Sequence, residues 1–281
     1  MNSELPLVLG GHSFIRQLGN DPLPTADEQT AIVAACLDAG IRWFDTTYQP
    51  ERVALGAALK RLGRRDEATL IAWNFFQTFK PEDDQVGPPD YYRPQHLDQM
   101  LAELCTDRID VLVVHPLQDT SENERQLKLA CAWRDSGRVK ALGLWAPDER
   151  CAQTYATSNP YSFMVRPWNV LTPEAPPIFA AAKQLGWTTL ACSPFLRGWH
   201  LDKLVAAAVA AGLAEQDARE KLADLLLRYS LFQPNVDRLI VSIRKTEWIA
   251  KNAASVKRGK LSDDEQAWLA KLAVPRKVEP S

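Results

Sequence analysis

His12, Asp45, Tyr48 and His115 are the side chains of this chain best suited to moving protons. An imidazole, a carboxylate and a phenol gathered in one place can donate, accept and hold a proton beside a carbonyl, which is what general acid–base catalysis requires. Each closes or follows a short apolar run, as do Trp73 with Asn74, Trp145, Arg166 with Trp168 and Asn169, Ser193, and Ser242 with Arg244. Arg166 is suited to an anion or an enolate-like oxygen. The indoles of Trp73, Trp145 and Trp168 either stack on the flat face of a sugar-like molecule or simply fill volume. A lone histidine at a strand end is ordinarily a satisfied structural residue, but three acid/base types converging on one spot point to chemistry. Other chemistries have less support. The four histidines (His12, His96, His115, His200) show no metal-ligand spacing, and there is no GxSxG elbow for a serine hydrolase. Cys192 has no base beside it in sequence and reads as a small buried side chain.

The elements that must position these residues follow from periodicity. Short β-branched runs fall at 7–9, 41–45, 69–73, 109–115, 139–144, 163–165, 188–192 and 238–242. Between them, apolar residues recur at helical spacing in 25–39, 51–62, 94–104, 122–135, 173–185, 217–231 and 247–254. Thr25 and Glu28 have capping-box spacing and Gly40 supplies the stop; Ser262 and Glu265 repeat the signal before a final helix over 261–272. An additional Ala-rich helix is expected over 199–212, after the seventh strand. Eight strands alternating with helices predict an α/β (β/α)8 TIM barrel, a single domain over 1–281 with a C-terminal helix. The competing open doubly wound sheet lacks its GxGxxG, since Gly10-Gly11-His12 follows the first strand instead. The irregular stretch 75–93, rich in Pro and Tyr, follows the third strand and could either cover a pocket or be a plain surface insertion.

Composition narrows the partners. Lys plus Arg (33) nearly balances Asp plus Glu (35), a net charge of -2, so no concentrated basic face for nucleic acid or a membrane surface is expected. Charges interrupt every apolar stretch well short of a membrane span, and residues 1–10 lack the features of a signal peptide. Five scattered cysteines without a CxxC pair argue against a disulfide framework or structural zinc and fit the cytoplasm.

Five segments resemble the aldo-keto reductases: GIRWFDTTYQPERVALGAALKRLGRRDEATLIA, LCTDRIDVLVVHPLQ, VKALGLWAP, WTTLACSPFLRG and LIVSIRKTEWIAKN. The resemblance runs from Leu7 to about Leu272. It implies the aldo-keto reductase type of barrel, and a carbonyl reduction by NADPH that relies on an Asp, Tyr, Lys and His tetrad. Asp45, Tyr48 and His115 match three of those positions, although two residues separate Asp45 from Tyr48 where the family usually has four. Asn74 stands at the Lys position. A phenol has a pKa of about 10, and lowering it by two or three units is worth roughly 3–4 kcal/mol, which a neutral amide cannot supply. Asp45 is then left to find other donors or to take up a proton. The nicotinamide seat also departs from the family: Trp145-Ala146 replaces Ser-Asn, Val165 replaces Gln, and Cys192 replaces the stacking Tyr before Ser193. At the phosphate end, Arg244 matches the position that reads the 2′-phosphate and Asn252 an adenine clamp, whereas Ser242, Trp248 and Lys251 depart.

The resulting expectation is an aldo-keto reductase-fold protein with a degenerate redox site. It would do cofactor-independent acid/base chemistry (elimination, dehydration or isomerisation) on a polar carbonyl or sugar-like small molecule. Its catalytic groups would be Asp45, Tyr48, His115 and Asn74, with substrate held by His12, Trp73, Trp145, Arg166, Trp168 and Asn169. Two alternatives stay open: an NADPH-dependent reductase with Arg52 or Arg166 standing in for Lys, contacting its cofactor through Ser193, Ser242, Arg244 and Asn252, and a non-catalytic binding descendant.

Overall fold

Alternation within each strand decides which side chains face the barrel interior and which meet the surrounding helices. The computed structural model describes residues 4–16, 22–76, 89–116, 119–196 and 199–273. The strands are β1 (Leu7–Gly10), β2 (Trp43–Thr46), β3 (Thr69–Trp73), β4 (Ile109–Val114), β5 (Val139–Trp145), β6 (Phe163–Pro167), β7 (Thr188–Cys192) and β8 (Arg238–Val241). All neighbours are parallel, and β8 returns to β1, closing the expected barrel. The helices are α1 (Ala26–Ala39), α2 (Gln49–Leu62), α3 (His96–Glu103), α4 (Thr120–Asp135), α5 (Cys151–Thr154), α6 (Ala175–Gln184), α7 (Trp199–Ala210), α8 (Glu215–Leu231), α9 (Thr246–Arg258) and α10 (Asp263–Ala273). Sequence periodicity did not anticipate α5, because four residues are too few to display a helical period.

Local chemistry sets the ends of the elements. The Thr25 hydroxyl accepts the Glu28 N–H while the Glu28 carboxylate accepts the Thr25 N–H, the reciprocal box that starts α1. Ser262 and Glu265 do the same ahead of α10. Asp110, at the start of β4, ties three strands together: its carboxylate accepts the Leu70 N–H at 2.9 Å and pairs with Lys140 at 2.6 Å. Gly56 lets α2 and α3 touch. A Cβ there would lie 2.4 Å from the Glu103 carbonyl oxygen and 2.7 Å from Leu104 Cα, closer than any atoms pack.

Leu7, Leu9, Phe44, Leu70, Ala72, Leu112 and Leu142 point outward and form the main core with the helices. Val8, Ile71, Val111, Val113, Val165, Leu190 and Ile240 point inward and fill the barrel. The amino-terminal end of the barrel is plugged. Trp43 lies 5.8 Å from Phe163, the Arg238 guanidinium sits over the Trp43 ring at 4.3 Å, and the Trp43 indole N–H donates to Glu4 at 3.0 Å. Chemistry is therefore confined to the opposite mouth, where the carboxyl ends of the strands gather. Of the irregular stretch after β3, residues 77–88 lie outside the described residues, and with them the expectation of a pocket cover. Its far end is anchored: Tyr92 is fully buried and its hydroxyl donates to the Val113 carbonyl at 2.6 Å.

Candidate active site

Register aligns Asp45 of β2 with Gly10 of β1 on one side and Ile71 of β3 on the other, so Asp45 shares the inward face with Ile71 and, two residues on, Trp73. The Trp73 indole N–H donates to Asp45 Oδ1 at 2.5 Å. Asp45 is 7% exposed. Burial pushes its carboxyl up to about 7; the Trp73 bond and nearby His12 oppose that rise, and the Glu51 carboxylate adds to it. Among the described residues no ammonium pairs with this carboxylate, which has a neutral donor instead and is shifted toward its protonated form.

The sequence reading assigned the position facing Asp45 to Asn74, and the structure corrects this. Ile71, Trp73 and Phe75 line the interior, so Asn74, one residue out of phase, turns toward the helix layer. Its amide donates to Gln126 of α4 at 2.9 Å and to the His115 carbonyl at 3.4 Å. Trp73 occupies the partner's place beside Asp45.

A row of rings runs around the mouth from this point. Trp73 meets Trp145 edge-on at 5.1 Å, Trp145 lies 5.9 Å from His115, and His115 meets Phe75 at 6.0 Å. Phe75 packs edge-on against Tyr48 at 5.2 Å, and Tyr48 stacks on His12 at 6.1 Å with only 27° between the planes. Asp45, Tyr48, His115, Trp73, Trp145 and His12 are brought together as expected. Phe75 was missed, although its spacing of two from Trp73 was the available signal.

The histidines are fixed by different partners. His115 Nδ1 lies 2.9 Å from the Pro116 carbonyl oxygen. A carbonyl can only accept, so the proton sits on Nδ1 and Nε2 is the acceptor of the neutral ring. Burial pushes the His115 pKa down, only partly offset by that bond, which favours this neutral form. His12 Nδ1 instead lies 2.7 Å from Glu51 Oε1. Glu51 is fully buried, and its other oxygen accepts the backbone N–H of Thr47 at 2.6 Å and of Tyr48 at 3.2 Å, capping α2. Sequence reasoning missed Glu51, which looked like an ordinary first-turn helix acid; its spacing of three from the N-cap Tyr48 was the clue.

Several expected ligand contacts are structural instead. Arg166 donates to the carbonyls of Ala146 (3.3 Å) and Pro147 (3.0 Å) and reaches Glu174, pinning a turn in which Ala146 has φ 45°. Trp168 is buried against Phe179 of α6 at 4.6 Å, among the helices rather than in the mouth. The Asn169 amide donates to the Ser193 carbonyl and accepts the Leu171 N–H, joining the loops after β6 and β7. Arg166 misses the mouth because it alternates with Phe163 and Val165, the inward-facing residues of β6, and Trp168 lies past the end of that strand. Arg52, fully buried, pairs with Glu103 at 2.5 Å and donates to the carbonyls of Thr47 (2.9 Å) and Phe75 (3.1 Å). Both guanidiniums expected to stand in for a lysine thus hold backbone.

At the expected phosphate end, Arg244 donates to the backbone carbonyls of His12 (3.2 Å) and Ile15 (2.7 Å). Ser242 is exposed just past β8, Asn252 is half-buried on α9, and Ser193 takes a left-handed φ of 58° with its hydroxyl 3.9 Å from Cys192 Sγ. Among the described residues, no three His, Cys, Asp or Glu side chains are placed to hold a metal ion, and no helix is long and apolar enough to cross a membrane.

Comparisons with known proteins agree on the ancestry. A family model described as the Aldo/keto reductase family matches residues 6–273. The aldo-keto reductase YhdN of Bacillus subtilis (strain 168) is 26% identical over an alignment of 196 residues, and the match covers 63% of this chain and 56% of that protein. The chain thus matches little more than half the length of that relative. Among solved structures, the crystal structure of PA4992 from Pseudomonas aeruginosa, a candidate aldo-keto reductase, superposes with a TM-score of 0.64 at 18% identity, covering 90% of each chain. A second Pseudomonas aeruginosa structure so described gives 0.66 at 19% identity, covering 90% of this chain and 89% of that one.

Proposed function

The chain belongs to the aldo/keto reductase family, and from that premise we propose that its barrel mouth moves protons on a polar carbonyl or sugar-like small molecule without transferring a hydride. Elimination, dehydration and isomerisation next to a carbonyl are the reactions this set of groups serves. The observation that carries the reading is the Trp73–Asp45 hydrogen bond at 2.5 Å, with Trp145 packed against both Trp73 and His115. An uncharged N–H stands beside Asp45, where an ammonium would be needed to pair with it. Two indoles stand where a flat cofactor ring and its substrate would have to stack together.

On this reading the mouth does not fit a nicotinamide. Trp145 occupies the end of β5, and the Arg244 guanidinium binds the turn that carries His12. His115, neutral and with Nε2 as acceptor, serves as the base that removes a proton next to the substrate carbonyl. Asp45, in its protonated form, and Tyr48 can donate hydrogen bonds to the developing enolate oxygen. The indole faces of Trp73 and Trp145 supply an apolar platform for a polyhydroxylated ring. Five scattered cysteines without a CxxC pair are in keeping with work in a reducing compartment, and the cytoplasm is the location this reading expects. A small molecule, rather than nucleic acid or membrane, is its partner.

The family match over residues 6–273 favours one other reading, an NADPH-dependent carbonyl reductase with a remodelled tetrad. A panel of β-hydroxy ketones, aldoses and sugar acids in D2O, with and without NADPH, separates the two. Proton NMR should show exchange of the hydrogen next to the carbonyl, or loss of water, at a rate indifferent to NADPH. Turnover that occurs only with NADPH and consumes it mole for mole would overturn the proposal.

A further inference from the structure

The Glu51–His12 pair has no part in the chemistry described so far, yet the fold builds it from several sides. Glu51 is fully buried, with one carboxylate oxygen on His12 Nδ1 at 2.7 Å and the other on two backbone N–H groups. Gly11 leaves room for it: a Cβ at that position would lie 2.2 Å from Glu51 Oε2. The turn carrying His12 is held from the opposite side. Ser13 donates to the Gly10 carbonyl at 2.6 Å and accepts the Ile243 N–H at 2.8 Å, and Arg244 donates to the His12 carbonyl itself. The imidazole is partly exposed, at 37%, and stacked on Tyr48. A helix cap needs neither a histidine nor this degree of support.

We propose that His12 is the proton-donating residue of the mouth, with Glu51 its positioning residue, working with His115, which follows Tyr48 and Phe75 along the ring row, as proton acceptor. This rests on the acid/base reading given above, and it adds which group acts as acid and which as base. The environments of the two histidines differ in the required direction. Nδ1 is fixed as a donor in both, to a carboxylate for His12 and to a neutral carbonyl for His115. A carboxylate stabilises the imidazolium, while burial beside a carbonyl keeps the other ring neutral. The substrate class follows: a carbonyl compound with a removable hydrogen on the neighbouring carbon and a hydroxyl on the next.

In the step, His115 Nε2 takes the hydrogen as a proton and the C–H electron pair becomes the new C=C bond. The C–O bond breaks with its pair on oxygen, the His12 imidazolium gives its Nε2 proton to that oxygen, and water leaves. His115 ends protonated and His12 neutral, and exchange with solvent returns both to their starting states. Among the described residues, the titratable and charged groups around His12 include Glu51 and Tyr48 at the start of α2, Asp45 on β2 and Arg244 after β8.

The test is a long-range 1H–15N NMR titration of the whole chain, with His12→Asn used to assign the His12 signals. Expected are a neutral His12 ring protonated on Nδ1, a midpoint at least one pH unit above that of His115, and a drop of about one unit in Glu51→Gln, a tenfold loss of proton affinity. A His12 midpoint at or below that of His115, or a ring protonated on Nε2, overturns the proposal in the wild-type protein alone, even if Glu51→Gln does not fold. With any substrate from the panel, His12→Asn should lower kcat at least about a hundredfold with KM little changed and abolish the high-pH fall in kcat that reports the acid. Absence of turnover across the panel would refute the proposed function, and the titration would still decide the pairing.

Discussion

Replacing Asp45 by Asn tests the electrostatics of the mouth without needing a substrate. The amide keeps an oxygen for the Trp73 N–H but cannot ionise. Asp45 titrates at about 7 in the folded protein, chiefly because it is buried, against about 3.9 in an unfolded chain. A carboxyl raised in this way favours the native state only while protonated. Its contribution is complete below about pH 4, falls as pH rises, and is gone above about pH 7. The interval is about three pH units at roughly 1.4 kcal/mol each, so the wild type should lose about 4 kcal/mol relative to Asp45→Asn across it. At this chain length that corresponds to a difference in Tm on the order of 8 °C. Thermal melts of both proteins from pH 4 to pH 9 read the effect directly, because the other titrations largely cancel in the difference. The gap should be smallest near pH 4, widen toward pH 7 and then level off in favour of the variant. A gap that stays flat, or one that swings toward the wild type at high pH, would show Asp45 ionised throughout and remove the basis for treating it as a neutral donor.

Three further outcomes follow from other parts of the structure. NADPH at millimolar concentration should leave Tm unchanged, whereas a ligand at a hundred times its Kd would add about 2.7 kcal/mol, a rise of several degrees. Arg52→Ala should cost about 3–5 kcal/mol in urea denaturation, because it strands the buried Glu103 carboxylate and two loop carbonyls. Gly56→Ala should cost about 1–3 kcal/mol by forcing α2 away from the backbone of Glu103 and Leu104, a change visible in the same assay.

The barrel was legible because its signals are local and repeated: eight β-branched runs, helical periods between them, and capping boxes at Thr25 and Ser262 that both formed. The list of strand-end residues also found most of the mouth. What it lacked was parity. Neighbouring residues on a strand face opposite ways, so taking Trp73 together with Asn74 guaranteed that one would be misplaced, and the alignment with the family's lysine selected the outward one. Arg166 failed for the same reason, and Trp168 because it lies past the end of β6, where alternation no longer applies. Glu51 was hidden differently. Its role depends on His12, thirty-nine residues earlier, and nothing in the local pattern of a helix start announces so distant a partner.

Arg52 also has a mechanical effect. Its guanidinium grips the chain just before Tyr48 and again at Phe75, so the two walls of the mouth are hinged to one post. Neither wall can swing aside to admit a guest without dragging the other, and small guests that slide in along the rings should be welcomed over bulky ones that would have to pry the walls apart.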